Sequence, residues 1–186
     1  MSVEIIKDVN RKRFDDWSRS YDRSVLQHIV FRTSHNMFLR NITPRYNDTS
    51  TKVLDVGCGT GALAIMAHKR GATDITAVDI DEWCIENSEE NFTLNGCEFV
   101  KLSLGGIETV SPEDPFDIIL ANINKNVLLD QVGAYSQRLK MGGTLVMSGF
   151  YEEDISDLLS SAVKFGLIPQ ERTIRNRWAM LAMKKE

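Results

Sequence analysis

Cysteine is scarce in this chain. The three present, Cys58, Cys84 and Cys97, are odd in number, widely spaced and form no C-x-x-C pair. That pattern excludes a disulfide scaffold or a zinc ribbon and makes a reducing cytoplasm the default compartment. No apolar run approaches the ~20 residues that span a bilayer, and the first residues, M-S-V-E-I-I-K-D, lack the apolar core of a secretion signal. An excess of positive charge is missing too. The net charge of −4 gives no general pull toward nucleic acid, so no direct nucleic-acid binding is expected. His28, His35 and His68 share no spacing with acids or cysteines and read as surface or packing residues, so no metal site is expected. Internal repeats and low-complexity tracts are absent as well.

What is present is an ordinary globular composition, 42% apolar and 26% charged over 186 residues. That is enough chain for one domain with a real core. Its organising stretch is T-K-V-L-D-V-G-C-G-T-G-A, residues 51–62. A β-rich run meets glycines at alternate positions, Gly57, Gly59 and Gly61, and a helical pattern follows at once. Such a strand–turn–helix junction exposes backbone N–H groups at the helix start, and glycine lets a ligand approach them closely.

Residues 1–50 read as an N-terminal helical extension. Phe14, Trp17, Tyr21, Val25 and His28 recur at helical spacing, so one face carries large rings. Trp17 and Tyr21 either wall a cofactor pocket or pack into the core. From residue 51 the pattern alternates. Strands are expected over 52–56, 74–79, 97–102, 115–121 and 144–148, and helices over 62–70, 81–95, 127–139 and 153–165. A glycine-bearing segment spans 103–113, Asn122 to Lys125 form a loop, and K-M-G-G at 140–143 is a turn. Two last strands, 167–172 and 177–184, close a hairpin in which Trp178 reads as core. Asn124, Lys125 and Asn126 read as solvated loop residues. The order predicts an α/β fold: a Rossmann-like, doubly wound, seven-stranded sheet with a C-terminal antiparallel hairpin and the N-terminal helical cover, the second domain being 51–186.

The glycine loop satisfies the dinucleotide fingerprint G-x-G-x-x-G/A and equally the G-x-G-x-G turn of S-adenosylmethionine (SAM) enzymes. Asp55, two residues before Gly57, favours SAM, because a carboxylate suits the ammonium of its methionine end and not a pair of phosphates. The plainer reading of Asp55 is a cap on the following helix. Asp79, at the end of the second strand, is the expected ribose acceptor, and Ile80 after it a candidate for the adenine face. The terminal hairpin argues against a nicotinamide oxidoreductase.

V-L-D-V-G-C-G-T-G, A-V-D-I-D and the closing hairpin resemble the class I SAM-dependent methyltransferases. Three further stretches, residues 79–96, 116–129 and 140–154, resemble the PrmA-type ribosomal protein methyltransferases. The A-N-I of the second and the S-G-F-Y-E-E-D of the third are more telling than the glycines. The resemblance covers about residues 52–185. It implies SAM as cofactor and N-methylation of a lysine or amino terminus of large-subunit protein L-eleven. It places Ser103 and Leu104 where the adenine edge is read, and Cys58 as a small residue tolerated in the cofactor loop. The departure is at the front: about fifty residues precede the first strand, fewer than the family's substrate-capture domain plus linker. R-F-D-D-W-S-R-S-Y-D, residues 13–22, looks more like the N-terminal cover of small-molecule methyltransferases. A partner protein supplying substrate recognition, a small-molecule amine acceptor and a non-catalytic SAM-binding subunit are the alternatives this opens.

Asn122 is the catalytic candidate. It ends the fourth strand at the carboxyl edge of the sheet, where ligands bind in such folds. An amide oxygen there, with the Ile123 carbonyl, suits a neutral amine that must aim its lone pair at a methyl group. The plainer role is a cap on the next helix.

Overall fold

The computed structural model describes residues 51–186, and the expectations for residues 1–50, Trp17 and Tyr21 among them, lie outside the described residues. Seven strands alternate with four helices: β1 (Lys52–Val56), α1 (Ala62–Lys69), β2 (Asp74–Asp79), α2 (Glu82–Asn95), β3 (Lys101–Leu104), β4 (Phe116–Asn122), α3 (Lys125–Arg138), β5 (Leu139–Tyr151), α4 (Ile155–Val163), β6 (Leu167–Arg175) and β7 (Trp178–Lys185). They form one sheet in the order β3-β2-β1-β4-β5-β7-β6, in which β7 alone runs antiparallel to both neighbours. The doubly wound sheet with its terminal hairpin is therefore present.

Why these residues form these strands follows from what covers them. All five residues of β1 are buried, as expected of a parallel strand sandwiched between helical layers. One face packs Leu63, Ala64 and Ala67 of α1 and Phe92 of α2 against Val53, Ile75, Ala77, Ile118 and Leu120. The other packs Leu128, Val132 and Tyr135 of α3 and Leu158 and Ala162 of α4 against Leu54, Val56, Ile119 and Leu145. Alternate residues of each central strand thus feed opposite cores. The strand order reverses between β1 and β4, because β1 lies beside β2 on one side and β4 on the other. The crevice at that reversal is where doubly wound sheets hold ligands.

Four sequence expectations are corrected. The third strand starts at Lys101 and not at 97, because Gly96 closes α2 in the left-handed conformation (φ 68°) and Cys97 N–H donates to Phe92 O at 2.8 Å. Residues 97–100 then make a further turn, with Val100 N–H on Cys97 O, before the chain extends. K-M-G-G is no free turn: β5 runs unbroken from Leu139, which pairs with Phe116, and the irregularity is absorbed as a register shift between Phe116 and Ile118. The helix expected over 153–165 is split into a 3₁₀ turn, Glu152–Asp154, and α4. Trp178 is 39% exposed and stacks on Tyr151 with ring centroids 4.5 Å apart, so it is no core residue. Asn176 and Arg177 turn the hairpin with φ of 50° and 68°, the left-handed pair that suits the twist of a two-residue connection.

Candidate active site

The carboxyl ends of β1, β2, β3 and β4 converge on the glycine loop. Gly57, Gly59 and Gly61 all lie in the left-handed region, at φ 67°, 58° and 74°, which L side chains adopt only at a cost. Their surroundings differ. A Cβ on Gly57 would touch the Ile123 side chain at 3.2 Å, and one on Gly61 would run into Phe92 at 2.5 Å. A Cβ on Gly59 would meet nothing within 4 Å among the described residues, so within them the loop is open at its middle glycine.

The loop is held from below and from the side. Gly57 and Cys58 N–H groups both donate to Val78 O, at 2.9 and 3.1 Å. Gly59 N–H donates to Asp79 Oδ2 at 2.8 Å. From α2, Ser88 Oγ donates to Gly59 O at 3.0 Å and Asn91 Nδ2 to Thr60 O at 3.0 Å. Ser88, Asn91 and Phe92 are residues that the sequence reasoning missed. Their i, i+3, i+4 spacing puts them on one face of the helix that follows Asp79, which is the signal that could have found them.

The two acids sit differently. Asp55 is completely buried; its Oδ2 accepts the Ala64 N–H at 3.0 Å, which caps the first turn of α1 from outside the helix. Its Oδ1 is buried and has no partner among the described residues. Burial raises the Asp55 pKa to about 7, opposed by the Ala64 N–H and reinforced by the charge of Asp79. Asp79 is buried too and uses both oxygens on backbone, Oδ2 on Gly59 and Oδ1 on the Asp81 N–H at 3.0 Å. A side-chain hydrogen bond with Cys84 uses part of the remaining acceptor capacity, and the carboxylate keeps the rest for a ligand hydroxyl. The Cys58 thiol lies 3.6 Å from Ser88 Oγ, and burial followed by the Asp55 charge pushes its pKa up to about 12. It is a neutral packing group in the loop, and Cys84 is another in the first turn of α2, pushed up to about 12 by burial and by Asp79.

Beside Asp79 the sheet edge is apolar and open. Ile80 is 80% exposed and Leu104 50% exposed. Ser103 and Leu104 lie opposite Val78 and Asp79 in β3, and Gly105 N–H returns to Asp79 O at 2.8 Å. The structure therefore brings Ile80, Ser103 and Leu104 to the strand end that carries Asp79.

Asn122 stands on the other side of the loop. Val56 pairs with Ala121, so Asn122 is level with Gly57 across the strand reversal. It does not cap α3. That role belongs to Asn124, whose side chain accepts the Asn126 and Val127 N–H groups at 3.1 and 3.2 Å. The Asn122 Oδ1 instead accepts from Ser148 Oγ at 2.7 Å. Lys125 is no free loop residue either: its ammonium bridges Asp154 at 2.9 Å and Asp157 at 2.7 Å, tying the start of α3 to the start of α4. His68 packs edge-on against Phe99 with centroids 4.9 Å apart, away from this constellation in role as in partners.

Known proteins resemble the chain in sequence and in fold. Ribosomal protein L11 methyltransferase of Porphyromonas gingivalis is 50% identical over 130 residues, which are 70% of this chain and 45% of the relative. The crystal structure of a ribosomal protein L11 methylase from Lactobacillus delbrueckii subsp. bulgaricus superposes with a TM-score of 0.74 at 29% identity, covering 80% of this chain and 77% of that one. The N-methyltransferase NodS of Bradyrhizobium japonicum, solved with S-adenosyl-l-homocysteine, shares the fold with a TM-score of 0.67 at 15% identity over 83% of this chain and 86% of that one. The chain spans about half the length of the curated relatives it matches. Residues 35–186 match the family model for ribosomal protein L11 methyltransferase (PrmA), and the chain belongs to that family.

Proposed function

We propose that the chain is the SAM-dependent catalytic part of a protein N-methyltransferase, acting on a lysine side chain or an amino terminus of a ribosomal protein of the L11 type. The observation that carries this reading is the set of strand ends: three left-handed glycines after β1, Asp79 after β2 and Asn122 after β4, level with the loop. Membership of the PrmA family supports the protein acceptor over a small-molecule one.

The residues present fit SAM. The middle glycine leaves open space above the loop, Asp79 retains acceptor capacity for ribose hydroxyls, and Ile80 and Leu104 offer an exposed apolar edge for adenine. Asp55 has an orphaned carboxylate oxygen, which an ammonium group satisfies through a water molecule. When bound, SAM supplies an electrophilic methyl group on a sulfonium. The protein's share is to place an amine in line with it, keep that amine neutral and exclude water. A free lysine has a pKa of about 10.4, so the amine must shed a proton before it can attack. The Asn122 oxygen, with one lone pair on Ser148, has the other for an amine N–H, which turns the nitrogen lone pair outward. Lys125, held between two aspartates, is not available as the proton acceptor.

Calorimetric titration of the full chain with SAM tests the cofactor, and transfer of labelled methyl from SAM to purified ribosomal protein L11 tests the acceptor. No heat at millimolar SAM overturns the reading at its root. Binding without transfer to any protein in a cell extract leaves the chain as a SAM-binding subunit. Asn122→Ala is expected to lower turnover on the order of 10²-fold, the scale of a misplaced reactant, with SAM affinity unchanged.

A further inference from the structure

The Asn122 amide can face the reaction in two ways. Rotating the amide by a half turn exchanges its oxygen for its NH2 group at almost no change in shape. The two orientations are chemically opposite: one accepts from an amine N–H, the other offers donors that compete with it. Nothing in an asparagine at an exposed strand end chooses between them. In this fold the orientation with Oδ1 toward β5 is held by a hydroxyl of the neighbouring strand.

Ser148 is opposite Asn122 in the parallel β4–β5 pairing and is buried. Its hydroxyl donates to Asn122 Oδ1 at 2.7 Å, and its carbonyl accepts the Ile123 N–H at 3.1 Å. The same residue thus holds both the side chain of Asn122 and the backbone that follows it. The next residue sharpens the contact. Gly149 has φ 92°, and a Cβ there would come within 2.5 Å of Ile123 O and 3.0 Å of Ile123 N. The pairing of β5 with β7 shifts register between Ser148 and Phe150, so Gly149 sits in a bulge. Bulges of this kind re-aim a side chain at the expense of one ladder position. Here the bulge follows immediately on the residue that grips Asn122 and lets the Asn122–Ile123 backbone close onto β5.

We propose that Ser148 is a positioning residue for methyl transfer: its hydroxyl anchors the Asn122 amide through Oδ1, restrains the side chain against rotation and so fixes where its polar end stands relative to the amine. This rests on the role proposed for Asn122, and the tests are chosen to separate the two.

The first test needs no acceptor. In the full-length 15N-labelled protein, the Asn122 side-chain NH2 resonances are identified by their loss in Asn122→Ala. Ser148→Ala is expected to shift and broaden that pair, because the amide is released to rotate, while backbone resonances of β1, β2 and α2 stay in place. An Asn122 pair that neither moves nor broadens overturns the proposal.

The second is a double-mutant cycle with labelled SAM and ribosomal protein L11. Ser148→Ala is expected to lower kcat about tenfold, the upper range for losing one neutral hydrogen bond, with the KM for acceptor and the Kd for SAM unchanged. In an Asn122→Ala background the same change is expected to cost nothing further, since Ser148 acts through Asn122. Equal losses in both backgrounds would mean a merely structural serine and overturn the proposal. A fully active Ser148→Ala beside an impaired Asn122→Ala overturns it alone. A fully active Asn122→Ala overturns the role of Asn122, and this one with it.

Discussion

Asp55 is fully buried, and the Ala64 N–H reaches its Oδ2 while Oδ1 has no partner among the described residues. A buried carboxylate so placed resists ionisation. Its pKa rises from 3.8 in the unfolded chain to about 7 in the fold, with burial the main cause. Between those values the folded protein holds a proton that the unfolded chain has released. Stability from this group is therefore full below pH ~4, falls as pH rises toward 7 and is level above it, by on the order of 4 kcal/mol in all. Asn in place of Asp55 can still accept from Ala64 N–H and carries no titration. In urea unfolding, Asp55→Asn is expected to match the wild type near pH 5 more closely than at pH 8, where the variant is the more stable. Parallel pH profiles for the two proteins would refute the buried acid. The same uncompensated oxygen is the one proposed to meet the ammonium of SAM, so Asp55→Asn is expected to lose SAM affinity as it gains stability, a trade common at ligand sites.

At the scale of elements, the glycine loop separates stability from binding. Gly59 and Gly61 share the left-handed conformation, so Ala at either costs about 1–2 kcal/mol in backbone strain. At Gly61 the added methyl also meets the Phe92 ring at 2.5 Å, in the buried contact between the loop and α2. Overpacking of that kind adds about 1–3 kcal/mol. At Gly59 the methyl meets no atom of the described residues, and there it would obstruct a ligand. Gly61→Ala is thus expected to lower the urea midpoint by roughly twice as much as Gly59→Ala, while Gly59→Ala loses more SAM affinity per unit of stability. Titration calorimetry and urea unfolding on the same two variants check the contrast. Reversed ranks would place the cofactor elsewhere. The loop was legible in the sequence because its glycines fall between a β-rich run and a helical pattern, and β1 and β2 have the expected bounds. What holds the loop was not. Ser88 and Asn91 look like any polar residues on an acidic helix until the helix is packed, and only then do their donors reach Gly59 O and Thr60 O. The cap of α3 had the same difficulty. Asn122 and Asn124 are chemically identical, and only the pairing of Asn122 with Ser148 shows which one remains in the strand. The start of β3 was misread because C-E-F-V has strand chemistry, whereas the helix stop at Gly96 claims the Cys97 N–H first.

The whole sheet depends on its last strand. β7 lies between β5 and β6 and is antiparallel to both, so the chain's final residues complete its middle and not its edge. Ala179, Met180, Leu181, Ala182 and Met183 are all buried, and they feed both faces in alternation: Leu181 and Met183 join the core under α3 and α4, Met180 and Ala182 the core that includes α1 and α2. Without β7, β5 would present an unpaired row of backbone groups flanked by Leu145, Val146 and Met147, which is an aggregation-prone edge. β6 would have no sheet to join, and Glu186 N–H would no longer close onto Gly166 O. The polar turn between two strand-like runs made this strand legible in sequence, but its place between β5 and β6 is a property of topology that no local pattern carries. A variant ending at Arg177 is therefore expected to collect in the insoluble fraction, although every residue proposed here to hold SAM precedes the cut. Shorter removal of Lys185 and Glu186 is expected to leave the protein soluble and able to bind SAM, because the ladder with β5 from Trp178 to Lys184 remains. A soluble Arg177-terminated chain that still binds SAM would show that β1–β5 and their helices form a self-sufficient cofactor unit, and that β7 is an addition to the fold instead of its centre.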